Sequence, residues 1–356
     1  MNEIQEARRT PLNGTFELTV RCNLKCKMCL FRHDDSENEE IMKKERTAEE
    51  WIDMARQVAE AGTIKLLITG GEPMLRPDFC EIYEAIAKMG FIITLYTNAT
   101  LVRPKIMETL TKYPPHKIGV TLYGASAETY ENVCKVSNAY EKAIKGIKEL
   151  SKLPSKLEIR STLIKDNIND LDDIQSWVEE QFGKDMPLYT SRIVLKPVRG
   201  GIADVECCRL DPRENAKLLF KQTIKVLNDF GIVENIDGNN VRFKLNNDKG
   251  SDVKPSIYGC EAGMTSYTIS WDGKLLGCQM LGDYWTYPFD EGFNSSWLKF
   301  PKGVVIKELN EKCRTCKDRS LCSTCVATRM AETGNTFGCP SYICNDVKEV
   351  KKYLIL

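Results

Sequence analysis

The stretch Cys22-Asn23-Leu24-Lys25-Cys26-Lys27-Met28-Cys29, just after the apolar run Phe16-Glu17-Leu18-Thr19-Val20, decides how the rest of this chain is read. A strand delivers three thiols to one short loop, separated by three and two residues. Cysteine thiolates are the usual ligands of a cuboidal 4Fe–4S cluster, which has four irons. Three cysteines hold three irons and leave the fourth free to bind and cleave something. The alternative is zinc, which in structural sites takes four ligands in two close pairs. His33 could complete such a set.

Downstream, Ile68-Thr69-Gly70-Gly71-Glu72-Pro73 closes the apolar strand Lys65–Thr69. Paired glycines permit close backbone approach. Alone, such a turn is an ordinary strand ending; beyond a CxxxCxxC loop it is specific. Together the two motifs resemble the radical S-adenosylmethionine (radical SAM) enzymes, which carry CxxxCxΦC after the first barrel strand and a GGEP-type turn after the second. The resemblance implies S-adenosylmethionine as cofactor, chelated by the open iron of a cluster on Cys22, Cys26 and Cys29, and its reductive cleavage to a 5′-deoxyadenosyl radical. It implies that the turn Gly70, Gly71, Glu72 and Pro73 binds the methionyl ammonium through a peptide carbonyl and Glu72. Met28 stands where the family usually has an aromatic residue against adenine, and a polarizable thioether can fill that place.

The chain has 356 residues, 42% apolar, which is room for two domains and a sizeable core. Lys+Arg and Asp+Glu are equal at 50 each, so no basic excess marks a nucleic-acid surface. Radical SAM enzymes of transfer RNA therefore fit poorly. The N-terminus has no secretory apolar core, and no apolar run approaches the roughly 18 residues that span a bilayer. A cytoplasmic enzyme without membrane or nucleic-acid partners is expected. Fifteen cysteines in so long a chain point to metal binding rather than to disulfides.

Strand-like segments Phe16–Val20, Lys65–Thr69, Ile92–Thr97, Lys117–Tyr123, Leu157–Ile164 and Tyr189–Val194 alternate with amphipathic ones at Ala48–Ala61, Pro77–Met89, Pro104–Leu110, Tyr140–Leu150 and Asp170–Phe182. Short Ile/Leu/Val-rich strands between helices read as βα units around a parallel sheet. The fold class is α/β, and the pattern resembles the partial (β/α)6 barrel of radical SAM enzymes followed by a small cysteine-rich domain. Residues 1–235 are read as the barrel, 236–258 as a linker (with a polar stretch 235–254 forming a loop or hairpin), 259–346 as the auxiliary domain, and 347–356 as a C-terminal helix or tail. Functional residues of such barrels gather at the C-terminal strand ends. There the resemblance adds Thr97 and Asn98 of a TNG-like turn with Ala99 in place of Gly, Thr121, and Arg160 as a partner of the methionyl carboxylate.

From Cys260 onward the chain is dense in ligands: Cys278 in a Gly-x4-Cys turn, then Cys313, Cys316, Cys322 and Cys325, and finally Cys339 and Cys344. This resembles the SPASM extension, which carries two auxiliary 4Fe–4S clusters on peptide-modifying radical SAM enzymes. The spacing departs from the family, with two residues before Cys325 where three are usual and two cysteines in the final gap. A zinc ribbon would account only for Cys313, Cys316, Cys322 and Cys325. The resemblance assigns Cys313, Cys316, Cys322 and Cys344 to an outer cluster and Cys260, Cys278 and Cys325 to an inner one. The inner cluster is open at one iron unless Cys339 joins it.

The implied function is oxidative maturation of a ribosomally made peptide, forming a thioether or carbon–carbon cross-link. Anaerobic sulfatase maturation fits the domain plan, but Gln279 stands where its catalytic Asp follows the Gly-x4-Cys cysteine. Peptide epimerisation would need a thiol hydrogen donor, for which Cys207 and Cys208 are the candidates. A reading from another class, an iron–sulfur electron-transfer protein, leaves the GGEP turn unexplained. The short segment before the first strand suggests no leader-recognition domain, so a separate leader-binding protein is a possible partner, beside an electron donor such as flavodoxin or ferredoxin.

Overall fold

The computed structural model describes residues 9–229, 233–235, 241–243, 260–282, 284–300, 310–322 and 324–353. Strand β1 (Asn13–Glu17) is followed by helices α1 (Asn38–Lys44) and α2 (Ala48–Glu60), and β2 (Lys65–Thr69) by α3 (Phe79–Ala87). Next come β3 (Ile92–Thr97) with α4 (Pro104–Lys112), and β4 (Lys117–Thr121) with α5 (Ala127–Cys134) and α6 (Ala139–Leu150). Then β5 (Lys156–Thr162) leads to α7 (Leu171–Phe182), and β6 (Leu188–Ser191) to α8 (Pro212–Asp229). These six strands pair in sequence order and all in parallel, the expected partial (β/α)6 arrangement.

Alternation along the strands decides what faces what. Leu66 and Ile68 of β2 and Ile93 and Leu95 of β3 are buried, while the residues between them are half-buried and end in Thr69 and Tyr96 at the site described below. Outside the sheet, Trp51 of α2 stacks against Phe16 of β1 with ring centroids 5.0 Å apart. Thr47 and Glu50 close a capping box at the start of α2, a device that typically contributes about 1 kcal/mol.

β1 lies a little earlier than the apolar run suggested, because Leu18 to Val20 leave the ladder to receive the β2 turn. Ala99, where a glycine is usual, takes the left-handed φ of +60°. Its carbonyl is met by Gly146 of α6, where an added Cβ would lie 1.8 Å from Ala99 O. A Gly146→Ala variant should therefore overpack this backbone contact and lose about 2–3 kcal/mol, read as a lower urea midpoint at unchanged slope. An unaltered midpoint would contradict the close approach.

β7 (Val233–Asn235), which ends where the stretch read as loop or hairpin begins, pairs antiparallel with β8 (Val241–Phe243) inside that stretch. The rest of that stretch lies outside the described residues. β9 (Ser266–Ile269) then pairs in parallel with β1, from Asn13↔Ser266 to Phe16↔Ile269, and β10 (Leu275–Leu276) runs antiparallel to β9. The sheet thus continues past the barrel edge in the order β10-β9-β1-β2-β3-β4-β5-β6. Helices α9 (Pro288–Glu291), α10 (Phe293–Lys299), α11 (Glu311–Arg314), α12 (Val326–Thr333) and α13 (Ser341–Lys351) follow. α13 begins earlier than the expected tail and so carries Cys344. It docks through Arg192–Asp346 at 2.8 Å and through Tyr342, whose hydroxyl accepts from Asn215 at 2.7 Å and whose ring lies 3.9 Å under Arg209. Among the described residues no helix is long and apolar enough to cross a membrane.

Candidate active site

The loop after β1 is built around its three cysteines. Leu24 and Met28 are buried beneath it, and Cys22, Cys26 and Cys29 are half-buried. The Leu24 amide donates to Cys22 Sγ at 3.4 Å, and Asn98 Nδ2 reaches the same sulfur at 3.7 Å. Burial pushes the Cys22 thiol well up, and the neighbouring Cys26 adds to it. Burial and Cys26 likewise raise Cys29 to about 11. Cys26 itself is raised first by a hydrogen bond with Cys134 and then by burial. Thiols held protonated in this way give up their protons to a cation, which also relieves the mutual repulsion of their anions. The donor set fits an iron–sulfur cluster. Among the described residues no three His, Cys, Asp or Glu side chains converge on one ion position, and a cluster needs its sulfurs further apart than a single ion does.

Two cavities flank the loop. One, of about 310 Å³, opens at the C-terminal strand ends and is lined by Cys22, Cys29 and Met28 on the loop side. Gly70, Gly71, Thr97, Asn98, Thr121 and Arg160 line it from β2 to β5. Every expected cofactor contact except Glu72 and Pro73 is therefore brought to one space. The other cavity, of about 270 Å³, shares Cys22, Cys29, Gly70 and Gly71 and adds Arg21, Arg32, His33 and Asp34. Tyr96 and Tyr123 also line the first cavity and were not singled out from sequence. Strand alternation was the available signal, since each sits beside or within a turn that was read. Arg160 stacks 4.9 Å over the Tyr96 ring and donates to its hydroxyl at 3.1 Å.

Glu72 is placed differently. Its carboxylate is fully buried, accepts from Thr97 Oγ1 at 2.9 and 3.0 Å, from the Asn98 amide at 2.7 Å and from the Met74 amide at 3.0 Å, and lines neither cavity. Pro73 is buried beside it as the first residue of a short 3-10 turn. The turn itself is locked to the cluster loop: Gly71 N donates to Thr19 O at 2.7 Å and Glu72 N to Arg21 O at 2.9 Å. Buried ion pairs hold the base of this loop. Arg199 grips Glu17 at 2.7 and 2.8 Å while covering Phe31 at 4.4 Å, and Arg21 grips Glu45 at 2.8 Å.

In the extension the cysteines fall into two groups. Burial raises the Cys278 thiol, and Cys325 and Cys260 lie close enough to raise it further. Cys339 Sγ sits 3.1 Å from Cys344 Sγ and hydrogen-bonds with Cys313, which also feels Cys322. Cys339 is thus a neighbour of the outer set, and Cys316 is exposed. Gln279 follows Cys278 as the sequence indicates. Cys207 is exposed and donates to Asp204 O at 2.9 Å, whereas Cys208 is buried, with burial raising its thiol to about 12. Neither lines either cavity at the cluster loop.

Residues 16–178 match the radical SAM superfamily. This part of the chain is a radical SAM domain, and the protein is an enzyme. Over almost its whole length it is similar to an AdoMet-dependent heme synthase of Methanosarcina barkeri, 27% identical over 334 residues, covering 90% of this chain and 92% of that protein. It is also 27% identical over 171 residues to the antilisterial bacteriocin subtilosin biosynthesis protein AlbA of Bacillus subtilis, covering 48% and 37% of the two chains. Its fold matches Streptococcus suis SuiB, solved with the precursor peptide SuiA, with a TM-score of 0.67 at 17% identity over 94% of this chain and 76% of that one.

Proposed function

We propose that the protein oxidatively modifies a ribosomally made peptide, installing a thioether or carbon–carbon cross-link. Bound to Cys22, Cys26 and Cys29, a 4Fe–4S cluster would supply the electron that cleaves S-adenosylmethionine into methionine and the radical that abstracts a substrate hydrogen. The chain's own residues do the rest. Gly70 and Gly71 present backbone to the methionyl group, Met28 and Tyr96 offer packing surface to adenine, Arg160 pairs with the methionyl carboxylate, and Thr121 adds a polar contact to the cofactor. Glu72 acts on the site through Thr97 and Asn98, by fixing one strand-end turn against the next. The observation that carries the peptide reading is the attachment of the cysteine-rich extension to β1 through β9. Two further clusters there would take up the second electron of an oxidation, so that substrate loses two hydrogens in all. The relationship to AlbA and the likeness to peptide-bound SuiB support the same substrate class. An electron donor such as flavodoxin or ferredoxin, a separate leader-binding protein, the barrel at residues 1–235 and the auxiliary domain at 259–346 belong to this proposal.

A second reading has its own support. The full-length similarity to a heme synthase favours oxidative work on a heme precursor. One experiment separates them: anaerobically reconstituted protein with S-adenosylmethionine and reductant, offered a short cysteine-containing peptide encoded beside it, or a heme precursor, in deuterated water. A peptide lighter by two hydrogens bears out the proposal. One deuterium gained without oxidation means epimerisation, and turnover of the heme precursor alone means the second reading.

The geometry also bears on the inner auxiliary group. With Cys339 among the outer cysteines, Cys260, Cys278 and Cys325 leave one iron of an inner cluster without a protein thiolate. Cys339→Ala should then leave the inner cluster in place and disturb only the outer one, read by Mössbauer spectra and an iron content still near the ~12 per chain of three clusters. Loss of the inner cluster in this variant would overturn the open-iron arrangement.

A further inference from the structure

α5 was not legible in the sequence, and it packs directly behind the cluster loop. Its last carbonyls bind that loop: Val133 O accepts from Lys27 N at 3.1 Å and Cys134 O from Lys25 N at 2.8 Å. These two amides bracket Cys26, so neither is free to donate to its sulfur. Lys135, at φ +57°, ends the helix in the left-handed region and turns the chain away. The same helix aims two side chains at the vacant role. Tyr130 and Cys134 are four residues apart and share one helix face; both are fully buried. Cys134 is a hydrogen-bond partner of the Cys26 thiol. The Tyr130 hydroxyl has no partner at all despite its burial, and it lies close enough to Cys134, Cys26 and Cys22 to feel their charge. A buried hydroxyl without a partner is costly and calls for an acceptor.

We propose that Tyr130 and Cys134 form a hydrogen-bonding wall that donates to the cluster sulfurs around Cys26 and raises the cluster's reduction potential. The inference rests on the cluster being held by Cys22, Cys26 and Cys29. An iron-bound Cys26 sulfur has no proton and can only accept. The S–H of Cys134 is then the donor of that pair. Hydrogen bonds to cluster sulfurs are one of the settings of an iron–sulfur potential, because they favour the reduced, more negative state. α5 would thus ease reduction of the cluster by whatever donor delivers the electron. Tyr130 and Cys134 are positioning residues in this scheme, since neither lines the cavity.

The test is a redox titration of the anaerobically reconstituted holoenzyme, following the electron paramagnetic resonance signal that changes on adding S-adenosylmethionine. That change separates this cluster from any auxiliary one. Tyr130→Phe removes one oxygen that has no partner, so a purely structural role predicts no shift. We expect each of Tyr130→Phe and Cys134→Ala to move the potential down. The double variant should hold about tenfold less reduced cluster at a fixed potential, which is about 59 mV for one electron. Cys134→Ser, which retains a donor, should recover most of the loss. Unchanged potentials, with the S-adenosylmethionine-dependent signal intact, would overturn the inference while leaving the cluster assignment standing. Loss of iron from Cys134→Ala would overturn it differently, by making Cys134 a ligand. If Cys134→Ala does not fold, Tyr130→Phe alone decides. Absence of any S-adenosylmethionine-sensitive signal in the wild-type protein would instead sink the cluster reading beneath it.

Discussion

Gly71→Ala should abolish cleavage of S-adenosylmethionine, cutting 5′-deoxyadenosine formation at least ~100-fold, which is about 2.7 kcal/mol of barrier. A Cβ on Gly71 would stand 2.3 Å from Arg21 O and 2.4 Å from Val20 O, both backbone atoms of the segment that leads into the cluster loop. Neither can yield as a flexible side-chain tip would. Either the turn or the loop must move, breaking the bonds from Gly71 N to Thr19 O and from Glu72 N to Arg21 O. Both cavities are bounded by Gly70 and Gly71, so the displacement falls where the methionyl group would be held. The three cysteines are untouched, and iron content should stay close to wild type. Product formation by liquid chromatography, together with iron analysis, checks both halves. Near-normal cleavage by a fully loaded variant would show that the close approach has no catalytic consequence.

The second large effect concerns Glu72 and pH. Burial drives its carboxyl up to about 7 from the ordinary 4.5, although the bonds from Asn98, Met74 and Thr97 pull the other way. The folded protein therefore holds this proton more tightly than the unfolded chain does. The associated stability is fully present below about pH 4.5 and is lost as the pH rises through about 7, by an amount on the order of 3 kcal/mol. In Glu72→Gln that component of the pH dependence disappears. Urea titrations of wild type and Glu72→Gln at several values between pH 5 and 8 should diverge in slope, with wild type declining more steeply. Parallel profiles would mean that the three donors, not burial, set the charge state. Glu72→Ala should be worse than Glu72→Gln at every pH, because it leaves buried donors from Met74, Thr97 and Asn98 without an acceptor.

The barrel was readable because its strands end where turn residues end them. Thr69 before Gly70-Gly71 and Thr97 before Asn98 fall at the observed limits of β2 and β3. The cavity at the C-terminal strand ends was foreshadowed because the motif residues lie at neighbouring strand ends, which the topology must bring together. Other features depend on partners far along the chain. Whether Glu72 faces a cavity or the next turn is decided by Thr97 and Asn98, and nothing in the GGEP tetrapeptide says which. α5 is short and mixed in character, and its burial comes from packing on the loop at Lys25 and Lys27 rather than from a strong apolar period. The place of Cys339 could not follow from spacing, because α13 starts immediately beyond it and swings Cys344 alongside.

The junction of β9 with β1 has a consequence for anyone wishing to dissect the protein. A fragment ending before Ser266 would strip one edge of β1, leaving the amide and carbonyl groups of Asn13 to Phe16 bare on that side. Exposed strand edges recruit other chains, so such a fragment should self-associate rather than behave as a free-standing barrel. The cysteine-rich extension is therefore a poor candidate for exchange between relatives by cutting before β9. A transplant that works would have to carry β9 and the face of β1 as a matched pair, inherited together like two halves of one seam.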